Sequence, residues 1–282
     1  MVRSEGGGRR RGGFGGGMTA NMGANPALGS VINYYLKGVT DSSKLSIAVL
    51  DKKNKVIRTF SKNAKDPQDK IEFTEGINQF EWDMNYPAAE RLDGLILWNG
   101  STSPVLAAPG KYTAKVTIDK DVVSYPFEIL ADPNYKVSNA DLKAQEQFLL
   151  EVAGSFSEIM KTLKGAKEIK SQIAAVQKKT KDSSFQASAK AVIESLTKIE
   201  EALHQTKAKS GQDVLNFPIR LDDKIAGVFE SAASGYVAPT KQVKETYLEL
   251  KQQVDEQLKK YETIKKESVK ALNDKVHQLA IP

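Results

Sequence analysis

The sequence predicts a protein that is β first and α second, and three observations carry that prediction. Residues 25–131 are short runs of alternating apolar and polar residues cut by turn signals. From residue 132 onward the apolar residues recur at helical spacing. Ahead of both, residues 1–24 are rich in Gly and Arg, with Phe14 as the only aromatic. The predicted order is therefore a disordered Gly/Arg-rich linker over 1–24, a β-sandwich over 25–131 and a long antiparallel helical bundle or coiled coil over 132–282.

The arm cannot bury enough apolar surface to offset its ordering entropy. Arg10-Arg11-Gly12-Gly13-Phe14 has the composition of a nucleic-acid-binding RGG segment, but it occurs once and does not repeat. In the sandwich region, Val31–Leu36 and Leu45–Leu50 are rich in β-branched and aromatic residues and have strand length. Asp51-Lys-Lys-Asn54 reads as the turn of a hairpin into Val56–Phe60. Ile77, Phe80 and Trp82 mark the next strand, opened by Gly76. Gly94–Trp98 (GLILW) is a short apolar run read as a further strand. Behind Pro109-Gly110, Tyr112, Ala114, Val116 and Ile118 alternate cleanly, and Val122–Leu130 closes the set across Asp119-Lys-Asp121. About seven such strands predict a sandwich of roughly 100 residues. Trp82, Trp98 and Tyr112 are the candidate carbohydrate or partner contacts; the competing use of these rings is aromatic core.

Asp132-Pro133-Asn134 ends the strand region, and Ser138-Asn-Ala-Asp141 resembles a capping box. The helix behind it, over about 138–180, repeats Leu149, Val152, Phe156, Ile159, Leu163 and Ala166, then Ile169, Ile173 and Val176. Ser183-Ser-Phe-Gln186 reads as a second capping box, opening a helix over about 183–208 whose seam is Phe185, Ala189, Val192, Leu196, Ile199 and Leu203. Gly211 and Pro218 break the pattern. A short helix over about 220–234 is stopped by Gly235, and Pro239-Thr240 opens the last helix, over about 240–278. Its seam is Val243, Tyr247, Leu250, Val254, Tyr261 and Ile264, running on toward Leu272 and Leu279. Seams this regular need partners, which predicts a bundle.

Composition narrows the function classes. At 282 residues the chain is long enough for two cores, with ordinary apolar (40%) and charged (27%) fractions. No run approaches the roughly 20 apolar residues that span a bilayer, so no membrane insertion is expected. No apolar h-region follows Met1-Val-Arg-Ser-Glu, so an export signal would lie outside this chain. The absence of cysteine rules out disulfides, thiolate catalysis and Cys-based metal sites. Of the formal charge of +6, Arg3, Arg9, Arg10 and Arg11 against Glu5 supply +3, which leaves the folded part mildly basic and nucleic acid unindicated there.

No catalytic set assembles from the motifs. His204 and His277 fall on helices without ligand-spaced partners and read as polar-face residues. Serines lack a Gly-x-Ser-x-Gly elbow, and the glycines fit neither phosphate-loop spacing. Asp83 and Asp93 are strand-end carboxylates; a glycosidase pair is the sharper and less economical reading. No catalytic, cofactor-binding or metal-binding residue is assigned, and no cofactor is expected.

Asn25-Pro26, Gly29-Ser-Val-Ile-Asn-Tyr-Tyr-Leu36, Gly76–Asp83 and Leu215-Asn-Phe-Pro-Ile-Arg-Leu221, with the Gly-rich arm just before Asn25, occur in an order that resembles the C-terminal region of bacterial exported sortilin-type, BNR-repeat β-propeller proteins. These are often catalogued as glycosyl-hydrolase-like. Trp82-Asp83 and Pro109-Gly110-Lys-Tyr-Thr113 separately resemble the Ig-like module of flagellar hook-capping proteins. The resemblance implies an Ig-like sandwich and a non-catalytic structural or protein-interaction role, exported to the periplasm or cell surface. Its implied partners are the protein's own propeller or other envelope proteins. A glycan is the alternative ligand, and a cytoplasmic nucleic-acid-binding or scaffold protein using the Arg/Gly arm is a third reading. The propeller's Asp-box, Ser/Thr-x-Asp-x-Gly-x-x-Trp, is absent; Arg91-Leu-Asp93-Gly94-Leu-Ile-Leu-Trp98 comes nearest and fails the spacing. Any hydrolase activity would reside in the propeller, so no catalytic residue is carried over.

Overall fold

A computed structural model describes residues 29–280 apart from 41 and 99. The arm over 1–24 and Asn25-Pro26 lie outside the described residues. Strands come first and helices follow: β1 Ser30–Leu36, β2 Leu45–Asp51, β3 Val56–Ser61, β4 Gly76–Trp82, β5 Gly110–Ile118, β6 Asp121–Ile129, then α1 Asn139–Gln177, α2 Ser183–Leu203, α3 Leu221–Ala233, α4 Lys241–Thr263 and α5 Lys270–Gln278. The chain divides into two units. Unit 1 holds the described residues up to Pro87 together with Val105–Lys143; unit 2 holds Ala88–Pro104 and Ala144–Pro282. The middle of the loop between β4 and β5, residues 88–104, inside the span expected for the sandwich, thus groups with the helices.

In unit 1 every neighbouring pair of strands is antiparallel. β1 pairs with β4 in a two-stranded sheet, and the other sheet has the order β3-β2-β5-β6. Asp51 builds the β2–β3 turn by accepting the Lys53 and Lys55 N–H groups on Oδ1, with Asn54 in the left-handed region (φ 62°) that Asn tolerates. Alternation along each strand sends one face inward, so both sheets contribute to a single core of Leu45, Ile47, Val49, Phe60, Phe80, Trp82, Tyr112 and Ile129, with Ile32 and Tyr34 packed against it. Arg58 is buried beside this core, its guanidinium 2.7 Å from Asp69 and 4.9 Å above the Phe60 ring.

β6 is an edge strand. Pro126 fits there because the strand's outer side needs no ladder donor. The expected strand at Gly94–Trp98 does not form. Asp93-Gly94 is a turn and the run belongs to unit 2, where the Trp98 N–H is used by a side chain and not by a sheet ladder.

Unit 2 buries the predicted seams. Leu149, Val152, Phe156, Ile159, Leu163, Ala166 and Ile173 of α1 are inside, as are all six seam residues of α2. Met160 and, from α3, Ile225, Val228 and Phe229 complete this core. Ile169 and Val176 are only half-buried, and Leu279, expected on the last seam, is exposed. Helix starts are capped as the sequence suggests at Ser138 and Thr240. For α2 the cap is Asp182, one residue earlier than the Ser183 box. Its carboxylate accepts the Phe185 N–H at 2.7 Å, while Gln186 turns away to the Gln177 and Thr180 carbonyls.

The last helix reads as one element interrupted by a π-helical segment, Ile264–Val269. Buried Tyr247, Val254 and Tyr261 follow a seven-residue spacing. The wide π turns then take up the extra residue needed to bring buried Leu272 of α5 onto the same side. Tyr247 ties α4 to α1: its hydroxyl lies 2.7 Å from Ser155 Oγ, and burial pushes its phenol up to about 12. Gln145 of α1 donates to the Ala232 and Gly235 carbonyls at 2.7 and 2.5 Å, satisfying acceptors at the end of α3.

Candidate functional site

The three aromatic residues singled out from sequence are not brought together on a surface. Trp82 is 0% exposed and Tyr112 5%, whereas Trp98 is 55% exposed. Trp82 and Tyr112 meet edge to face at 5.9 Å between centroids, with Phe127 stacked on Tyr112 at 5.8 Å. Their polar atoms are used internally, Trp82 Nε1–H donating to the Asn85 carbonyl at 3.1 Å and Tyr112 O–H to the Ala108 carbonyl at 2.5 Å. A sugar-stacking platform of all three is therefore replaced by an aromatic core of two, because the β4 and β5 registers turn both rings inward. Trp98 belongs to unit 2.

The strand-end carboxylates belong to different units. Asp83 in unit 1 accepts the Asn85 N–H at 3.0 Å and faces Arg58 at 3.6 Å, which is turn and ion-pair work. Asp93 lies in the turn of the other unit. His277 sits exposed in the last turn of α5.

His204 departs from the polar-face expectation. α2 ends at Leu203, and His204 caps it in extended conformation, its N–H donating to the Glu200 carbonyl at 2.7 Å. The imidazole Nδ1 lies 2.6 Å from Oδ2 of Asp222, in the first turn of α3. Asp222 and Asp223 open α3, where the helix dipole favours negative charge. They are nevertheless only 1% and 4% exposed. Oδ1 of Asp222 accepts the Asp223 N–H at 2.8 Å, and Oδ2 of Asp223 accepts the Trp98 N–H at 2.8 Å.

The hydrogen bond to the Asp222 carboxylate raises the His204 pKa above its ordinary 6.5 against the opposing effect of burial, with Asp223 and Glu200 adding to the rise. Burial raises Asp222 as well and outweighs the lowering effect of His204.

A cavity of about 150 Å³ adjoins His204, lined by Glu201, Lys207, Phe217, Pro218 and Arg220 among others. The Leu215–Leu221 stretch thus supplies part of its wall. Gln205 fixes that stretch by donating to the Pro218 carbonyl at 2.8 Å. Before it, Asp213 accepts the Lys209 and Ser210 N–H groups, which hold its carboxyl below the usual range.

The pair can orient an imidazole and hold a proton. Nucleophilic catalysis also requires a hydroxyl or thiol bonded to the base, and among the described residues His204 has no such partner. Among the described residues, no group of three or more His, Asp and Glu side chains is placed to hold a metal ion. Sequence reasoning missed the pair because 18 residues and a chain reversal separate its members; the only local signal is two aspartates opening a helix.

The segment 88–104 also contains a buried polar atom, Thr102 Oγ1, with no hydrogen-bond partner among the described residues. Thr102→Val removes that desolvated hydroxyl at nearly constant shape. It is expected to raise the unfolding free energy of unit 2 by about 1 kcal/mol, read by urea denaturation.

Comparison with known protein families, curated proteins and solved structures finds no match to this chain. Fold and site together define a two-unit β-then-α protein whose helical unit contains a pair of half-buried His204 and buried Asp222. Among the described residues, no helix is long and apolar enough to cross a membrane.

Proposed function

We propose that the chain is a non-catalytic structural and protein-interaction region of a bacterial exported, sortilin-type BNR-repeat β-propeller protein, with an Ig-like module followed by a helical bundle or coiled coil. The strand arrangement supports the Ig-like reading: β3-β2-β5-β6 opposite β1-β4 corresponds to strands C′-C-F-G opposite B-E. Tyr112, near the start of β5, bonds back to a carbonyl four residues upstream, as the tyrosine corner of such domains does.

The observation that carries the binding role is β6. It is a sheet edge, and Val122, Val123 and Tyr125 on it are all exposed, as is Leu130 just beyond. An open edge with apolar side chains is a natural surface for another protein. The helical seams are covered within the chain, which leaves the sheet edge as the better candidate contact. The favoured occupant is the propeller of the same protein.

The test is direct binding of the purified chain to a purified propeller of this type. A complex is expected that Val123→Lys with Tyr125→Lys weakens at least about tenfold, the loss of about 1.4 kcal/mol. Trp98→Phe should leave it unchanged. No complex, or one indifferent to the β6 changes, overturns the reading. The exposed Trp98 supports a second reading, glycan binding. Glycan-dependent fluorescence quenching that disappears in Trp98→Phe would favour it.

A further inference from the structure

The segment Ala88–Pro104 crosses the helical unit as a strap. Glu90 N–H donates to Ser157 Oγ of α1 at 3.1 Å, and Trp98 N–H donates to Asp223 of α3 at 2.8 Å. Gly100 lies so close to α3 that a Cβ there would stand 2.3 Å from Ala226 Cβ and 2.4 Å from the Ala226 carbonyl carbon. Asp223 is linked through its own N–H to Asp222, and Asp222 to His204. The end of α2, the first turn of α3 and the strap therefore share one run of hydrogen bonds.

We propose that His204 is a proton-controlled latch for this strap: its imidazolium balances the buried Asp222 carboxylate and so holds the first turn of α3, from which Asp223 accepts the Trp98 N–H. Loss of that proton removes the positive charge beside Asp222 while its carboxylate stays out of water. Its relief is for the first turn of α3 to open toward solvent, and the strap loses its anchor with it.

The charged groups around His204 are Asp222 and Asp223 from α3 and Glu200 from α2. Glu201, Lys207 and Arg220 line the adjoining cavity. The four carboxylates favour the imidazolium; Lys207 and Arg220 oppose it, from exposed positions where water screens them.

The sign follows from linkage. The folded His204 pKa lies above 6.5, so the latch is fully closed below pH 6.5 and is lost as pH rises through the folded value.

Hydrogen exchange of the Trp98 amide in the full chain at pH 6 and pH 8.5, corrected for intrinsic exchange, tests the latch. Protection is expected to fall about tenfold for each unit by which the folded pKa exceeds the ordinary one. In His204→Gln the pH dependence should vanish. Protection that does not change with pH, or a change that persists in His204→Gln, overturns the proposal.

A second measurement does not depend on that variant folding. Gly100→Ala displaces the strap against α3 without replacing either residue of the His–Asp pair, and coupling is reciprocal. The NMR titration midpoint of His204 should then move toward 6.5. A midpoint unmoved in Gly100→Ala also sinks the latch.

Discussion

Trp82→Ala is expected to cost unit 1 about 3–5 kcal/mol, which approaches the whole stability of a small domain. Trp82 is fully buried, and both flanking rings, Tyr112 and Phe127, present edge-to-face contacts to it at 5.9 and 6.2 Å. Truncation removes those contacts and leaves a cavity that the sheets on either side cannot close without shifting register. It also frees the Asn85 carbonyl, which accepts from Trp82 Nε1. Hydrogen exchange at the Ile47 and Val49 amides of β2 reads the loss directly. Trp82→Phe keeps most of the volume and should cost markedly less. A Trp82→Ala effect below about 1 kcal/mol would mean that the sheets do not close on this ring.

Leu163→Asp should unfold unit 2. Leu163 is buried at the centre of the α1 seam, and a carboxylate there would sit among apolar side chains. An uncompensated buried charge costs about 3–5 kcal/mol beyond the lost apolar contact. The helical circular-dichroism signal should melt at much lower temperature or be lost at the start. Lys164→Asp, one residue on and exposed, introduces the same group and should stay within about 0.5 kcal/mol. Similar melts for the two variants would show that the seam does not hold the helices together.

The same contrast explains what was legible. Alternation placed β1 to β6, and the 3-4 spacing placed every long helix, because both report which face of a local element is apolar. The α2 seam is buried in full as the spacing required. The π segment in the last helix was not legible: a one-residue slip between seam residues leaves no mark in composition.

Gly94–Trp98 shows where local pattern stops. A short apolar run fits a strand or a strap equally well, and the choice turned on the Trp98 N–H, whose acceptor lies 125 residues away in Asp223. The aromatic residues make the same point. Trp82 and Trp98 are alike as letters, yet one ring fills the core of unit 1 and the other stands half in solvent.

By itself, then, the sequence determined the β-then-α order, the element boundaries to within a few residues, and most of the residues that each seam buries. These follow from short-range periodicity and capping, which act within a turn or two of chain. Only the tertiary structure decided that the middle of the β4–β5 loop joins the helical unit, that two of the three candidate aromatics are core, and that His204 meets Asp222. Each of those depends on a hydrogen bond or a packing contact between distant segments, and no local spacing encodes the partner.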